Sequence, residues 1–86
     1  MPARAVTRVP LIVPGLGIRD GAVIVSLWLV PRGAAVLAGD RVVELVAGGV
    51  TIDLEAPVTG RLVTQHADED EVVSVGRILA EFEVAE

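Results

Sequence analysis

Arg41-Val42-Val43-Glu44-Leu45-Val46-Ala47-Gly48-Gly49-Val50-Thr51-Ile52-Asp53-Leu54-Glu55 is the stretch on which the fold turns. Its second half alternates without a break. Val50, Ile52 and Leu54 share one face, and Thr51, Asp53 and Glu55 the other, which is the period of a half-buried strand. Gly48-Gly49 fits the turn that precedes it. A two-residue type I′ hairpin needs positive φ at both central positions, and glycine has no Cβ to clash there. The expectation is two antiparallel strands, 41–46 and 50–55, joined by an exposed tight turn at Gly48-Gly49.

Working outward, residues 78–84 alternate in the same way and predict Ile78, Ala80, Phe82 and Val84 facing inward. Residues 22–30 are apolar on both faces except at Ser26 and read as a central strand. Residues 62–65 form a further strand. Turn signals separate these runs: Pro14-Gly15, Asp20-Gly21, Pro31-Arg32-Gly33, Gly39-Asp40, 57–60 and 68–71. No segment carries a 3.6-residue period. Short strands at this spacing predict an all-β domain, a sandwich or flattened barrel. Residues 36–45 also line up with 73–82 if Asp40 is treated as an insertion: each copy reads Val-x-x-Gly, then Arg, two apolar positions or Ala, Glu and an apolar residue, with Ala80 as a third residue before Glu81 in the second copy. A repeat at nearly half the chain length predicts two similar small antiparallel sheets related by a pseudo-twofold axis.

Composition sets bounds on function. Eighty-six residues make one domain; residues 1–8 lack periodicity and are expected to form a flexible arm, with the domain over 9–86. A hydrophobic content of 52% excludes intrinsic disorder. The core is expected to be aliphatic, since Trp28 and Phe82 are the only aromatic residues. The absence of cysteine removes disulfides, a thiol nucleophile and cysteine-based metal sites. There is no lysine either; all seven cationic side chains are arginines. The net charge is −5, divided between +3 over residues 1–41 and −8 over residues 42–86. An acidic chain with two aromatics and scattered arginines argues against nucleic-acid binding. The longest apolar run, residues 22–31, is well short of the roughly 20 residues of a membrane helix. The apolar stretch 9–16 is broken by Pro10 and Pro14 and is too short for a signal peptide. A cytoplasmic location follows by elimination.

Candidate chemistry is sparse. Gly15-x-Gly17-x-x-x-Gly21 is one residue too long for a dinucleotide fingerprint, and no helix pattern follows it. His66, the only histidine, stands before Asp68-Glu69-Asp70-Glu71, but the run lacks the glycine turn and ligand spacing of a cation loop. It reads as a solvated acidic loop with no metal. No hydroxyl sits in a nucleophile elbow, and so small a barrel offers little pocket. The chain is expected not to be an enzyme and to have no catalytic residues. Trp28, in the most apolar strand, reads as packing between sheets in preference to an exposed anchor.

Pro14-Gly-Leu-Gly, Asp20-Gly21, Ser26-Leu-Trp-Leu-Val30, Gly33, Gly39-Asp40, Glu44, Ala56-Pro57-Val-Thr-Gly60 and Val75-Gly76, in that order, resemble the lipoyl domains of 2-oxo acid dehydrogenase complexes. The sequence is similar, more distantly, to biotinyl carrier domains. The resemblance runs from about Val9 to Val84. It implies a barrel-sandwich hybrid of two antiparallel sheets, and a hairpin-tip lysine amidated by lipoate or biotin. Counting back from Ala56-Pro57, the lipoyl pattern Asp-Lys-Ala falls on Gly48-Gly49-Val50, and the biotinyl pattern Ala-Met-Lys-Met falls on 47–50. Both put the lysine position on Gly49. Arginine does not substitute, because its guanidinium stays protonated.

The resemblance therefore implies a carrier scaffold without its attachment point and without a lysine-linked cofactor. The leading expectation is an unmodified protein-interaction module that binds a dehydrogenase, acyltransferase or carboxylase subunit. Asp53, Glu55, Asp68, Glu69, Asp70 and Glu71 would form the partner surface and steer basic partners. The alternatives are a small subunit of a dehydrogenase- or carboxylase-type carrier system, and a purely structural assembly module. No contact with nucleic acid or membrane is expected.

Overall fold

The computed structural model describes residues 6–15 and 22–85. Among them the chain forms eight strands and no helix: β1 (Val6–Ile12), β2 (Val23–Trp28), β3 (Ala35–Val36), β4 (Arg41–Ala47), β5 (Val50–Glu55), β6 (Gly60–Gln65), β7 (Val72–Val73) and β8 (Ile78–Ala85). All pairings are antiparallel. They build two four-stranded sheets, ordered β1-β8-β6-β3 and β5-β4-β2-β7. β-Branched and aliphatic residues dominate the strands, and each sheet turns one apolar face to the other. Val25, Leu45, Leu62, Leu79 and Phe82 lie fully buried between them. No polar or charged side chain is buried among the described residues, so the core holds by aliphatic packing around one aromatic ring.

The two sheets are copies. Adding 37 to the residue numbers of β2 and β3 gives β6 and β7, and adding 37 to 41–47 gives 78–84, within β8. β1 maps onto β5, since Leu11 pairs with Ala80 as Leu54 pairs with Val43. The correspondence extends to the loops. Leu29 N–H donates to Val42 O at 2.9 Å, and His66 N–H to Leu79 O at 2.8 Å. Gly33 N–H donates to Leu62 O at 2.6 Å, and Asp70 N–H to Val25 O at 2.7 Å. Gly39 N–H donates to Ala56 O, and Gly76 N–H to Val13 O. Gly39 and Gly76 have φ of 93° and 90°, and Gly33 and Asp70 have φ of 94° and 72°. The pseudo-twofold axis is thus written into hydrogen bonds as well as into strand order.

Four details depart from the sequence reading. First, the repeat needs no insertion at Asp40: Asp40 N–H bonds Leu37 O as Arg77 N–H bonds Ser74 O, so Asp40 corresponds to Arg77 and the shift stays constant. Second, Ile78 does not face in. It is 44% exposed, and Leu79 is buried in its stead. Leu11 pairs with Ala80 and Ile12 with Ile78, which leaves Leu79 as the extra residue of a bulge. An extra residue resets the alternation for everything beyond it. Val42 is the equivalent bulge in β4, between the pairs Arg41–Glu55 and Val43–Leu54. Third, β2 is an inner strand of its sheet, but it ends at Trp28 and only one face is buried; Leu27 and Leu29 are exposed. A two-layer fold leaves each sheet's outer face to solvent. Fourth, Val6, Thr7 and Arg8 belong to β1 and pair with Ala85, Val84 and Glu83, so the strand reaches into the segment expected to be an arm. Residues 1–5, the Asp20-Gly21 turn, and Gly17 and Gly21 of the glycine-spaced stretch lie outside the described residues.

Candidate functional site

The β4–β5 hairpin is built from the inside outward. Val43, Leu45 and Ala47 of β4 and Leu54 of β5 are buried against the opposite sheet. This fixes the register Val43–Leu54, Leu45–Ile52, Ala47–Val50. The register leaves two residues for the connection, Gly48 and Gly49. Their φ values of 57° and 76° are both positive, as a type I′ turn requires. Both glycines are exposed, as is Val50. A Cβ built on Gly49 would have no heavy atom within 4 Å apart from its own neighbours. The turn therefore projects from a rigid two-strand base into open space, the placement a swinging attachment point needs.

The chemistry of an attachment point is absent from the turn. An amide-linked lipoate or biotin needs a primary amine; Gly48 and Gly49 have no side chains, and the 86 residues contain no lysine. The residues present do not fit a lysine-linked group.

The acidic residues fall into two groups. Asp53 and Glu55 lie on β5, at one edge of the sheet, where Arg41 stands 3.8 Å from Asp53. Asp70 and Glu71 hydrogen-bond β2 in the lane of β7, at the other edge. Three strand intervals, about 14 Å, separate the groups. The 68–71 loop is folded back on itself. Glu71 N–H donates to Asp68 O at 3.1 Å, and Asp68 N–H donates to Glu71 Oε1 at 3.0 Å. Arg77 pairs with the other oxygen of Glu71. The Asp68 N–H and the Arg77 guanidinium together hold the Glu71 carboxyl below the usual glutamate range.

His66 does not join the acidic loop. Its Nε2 lies 2.6 Å from Glu81 Oε2, across the outer face of the other sheet. No group of three or more potential metal ligands occurs among the described residues. Trp28 is half-buried against the core, and its Nε1–H donates to Ala67 O at 3.0 Å. Glu44, singled out in the sequence among the residues of the family pattern, accepts at its Oε1 a hydrogen bond from Ser26 Oγ at 3.1 Å, a contact that sequence reasoning did not anticipate. The lone polar residue in an apolar strand was the available signal. Among the described residues, no helix is long and apolar enough to cross a membrane.

The sequence is similar to those of known proteins. The biotin/lipoyl family model, described as "Biotin-requiring enzyme", matches residues 9–82. The dihydrolipoyllysine-residue acetyltransferase component of the pyruvate dehydrogenase complex of Mycobacterium bovis is 38% identical over 78 residues, which is 88% of this chain and 14% of that protein. The corresponding protein of Mycobacterium tuberculosis matches to the same extent. The acetyltransferase component of the acetoin cleaving system of Pseudomonas putida is 35% identical over 66 residues, 77% of this chain and 17% of that protein. The chain thus spans less than a fifth of the length of these relatives.

Proposed function

The chain belongs to the biotin/lipoyl-attachment family, and from that premise we propose that it is a lipoyl-like domain without an attachment lysine, Gly49 standing in the lysine's place, which serves in the cytoplasm as an unmodified protein-interaction module. The observation that carries this reading is the Gly48-Gly49 turn: a projecting hairpin tip of the right geometry with no amine on it. The domain performs no chemistry of its own. Its partners are subunits of a dehydrogenase, acyltransferase or carboxylase system, approached by way of Asp53, Glu55 and the 68–71 loop. Those carboxylates raise association rates with basic surfaces.

A second reading is favoured by the relatives, each an acetyltransferase component many times longer than the matched segment. In it the domain is one small part of a carrier system, and the modified lysine lies on another chain.

Two experiments test the proposal. Gly48→Asp combined with Gly49→Lys should create a substrate for a lipoate ligase, read as a gain of one lipoyl mass, while the parent gains none. A folded double variant that gains no mass counts against the register. The tagged protein recovered from its own host should carry no lipoyl or biotinyl mass and should bring dehydrogenase- or carboxylase-type subunits with it. A modified mass, or no partner above background, counts against the module.

A further inference from the structure

A groove of about 520 Å³ opens where the two copies of the fold meet, between residues 28–32 and 65–69. These segments are related by the same shift of 37, so the groove lies across the pseudo-twofold axis. The shared framework is symmetric down to a pair of side chains. Trp28 Nε1–H donates to Ala67 O at 3.0 Å, and Gln65 Nε2–H, at the equivalent position, donates to Val30 O at 3.2 Å. The walls break that symmetry. Trp28, Val30 and Pro31 make one side apolar and aromatic, while Asp68 and Glu69 occupy the positions equivalent to Pro31 and Arg32.

Two features prepare this groove for a cation with a flat apolar body. The indole is locked by its hydrogen bond to Ala67, so little entropy is lost when a ligand packs against it. The Glu69 carboxylate is locked as well: its Oε2 accepts the Trp28 backbone N–H at 3.0 Å, and among the described residues no hydrogen bond occupies its Oε1. A pinned carboxylate beside an aromatic residue, with Asp68 on the same wall, suits a guanidinium. That group stacks on rings and donates in a fixed fork. The groove is open to the surface.

We propose that this groove binds an arginine side chain presented by an extended segment of a partner protein, with Trp28 and Glu69 as its receptor. The site is separate from the Gly48-Gly49 turn and stands whether or not the reading of that turn holds. Arg32, which also lines the groove, gives the proposal a test of sign, because it repels a cationic ligand.

The probe is a capped Ala-Ala-Arg-Ala-Ala peptide, titrated into the intact protein. Trp28 is the only tryptophan, so its fluorescence reports on the groove alone, and backbone amide shifts map the contact. The expected result is saturable shifts in both 28–32 and 65–69, weakening as salt rises. Glu69→Gln keeps an acceptor for the Trp28 N–H and should bind about fivefold more weakly. Arg32→Ala should bind more tightly. The proposal is overturned if the citrulline peptide binds equally well, if shifts appear along β5 and not in the groove, or if Arg32→Ala weakens binding.

Discussion

At Gly48 and Gly49 the turn's backbone and the absent amine come from the same two residues. Both φ values are positive, so side chains introduced there meet backbone strain while finding open space at Gly49. The Gly48→Asp/Gly49→Lys variant should therefore lose about 1–3 kcal/mol in denaturant unfolding and keep its fold. Glu71 gives a second prediction at this scale. Its hydrogen bonds to the Asp68 N–H and to Arg77 favour the ionised form, so its folded pKa lies below the unfolded one. The sign follows from proton linkage: the contribution is fully present above the ordinary glutamate value of about 4.3 and fades as pH falls through the lower folded value. Glu71→Gln should be less stable than the parent at pH 6, and the gap should close below about pH 4. Urea midpoints at pH 6, 4 and 3 measure this. A gap that is constant with pH would mean that the carboxylate's charge has no part in holding the loop.

At the scale of single strands, the bulges at Val42 and Leu79 decide which side chains reach the core. Leu79→Ala should cost about 2–5 kcal/mol, whereas Ile78→Ala, at a position 44% exposed, should cost under about 1.5 kcal/mol. Equal losses would return Ile78 to the inner face. Strands β4, β5, β6 and the body of β8 were legible because alternation is a local pattern that one buried face imposes on the sequence. The Gly48-Gly49 turn was legible because its conformation demands particular residues. The bulge was not, since an extra residue shows only when both strands of a pair are known. β3 and β7, two residues each, are too short to carry a period. β1 was hidden by Pro10, which an edge strand tolerates because its N–H side needs no partner. The acidic residues are plain in the sequence, but their division between two sheet edges depends on strand order, which no local pattern encodes.

Across the whole molecule, each sheet takes strands from both halves of the chain: β1 and β3 join β6 and β8, and β5 and β7 join β2 and β4. The sequence contrast of +3 against −8 is therefore threaded through both sheets. Neither half can bury its own apolar face. Peptides 1–48 and 49–86 should each be unfolded alone and should recover the native far-ultraviolet spectrum when mixed, with a midpoint that rises with concentration. Independent folding of either peptide would contradict the interleaving. The pairing of Val6 with Ala85 also occupies the place, under the twofold, of Gly49 with Gly48. The polypeptide is in effect a ring of eight strands, stitched shut at one pole and left unstitched at the other. A ring has no privileged origin. Joining Glu86 to Met1 and reopening the chain between Gly48 and Gly49 should give a circular permutant that folds to the same two sheets, with its new ends at the tip of the β4–β5 hairpin.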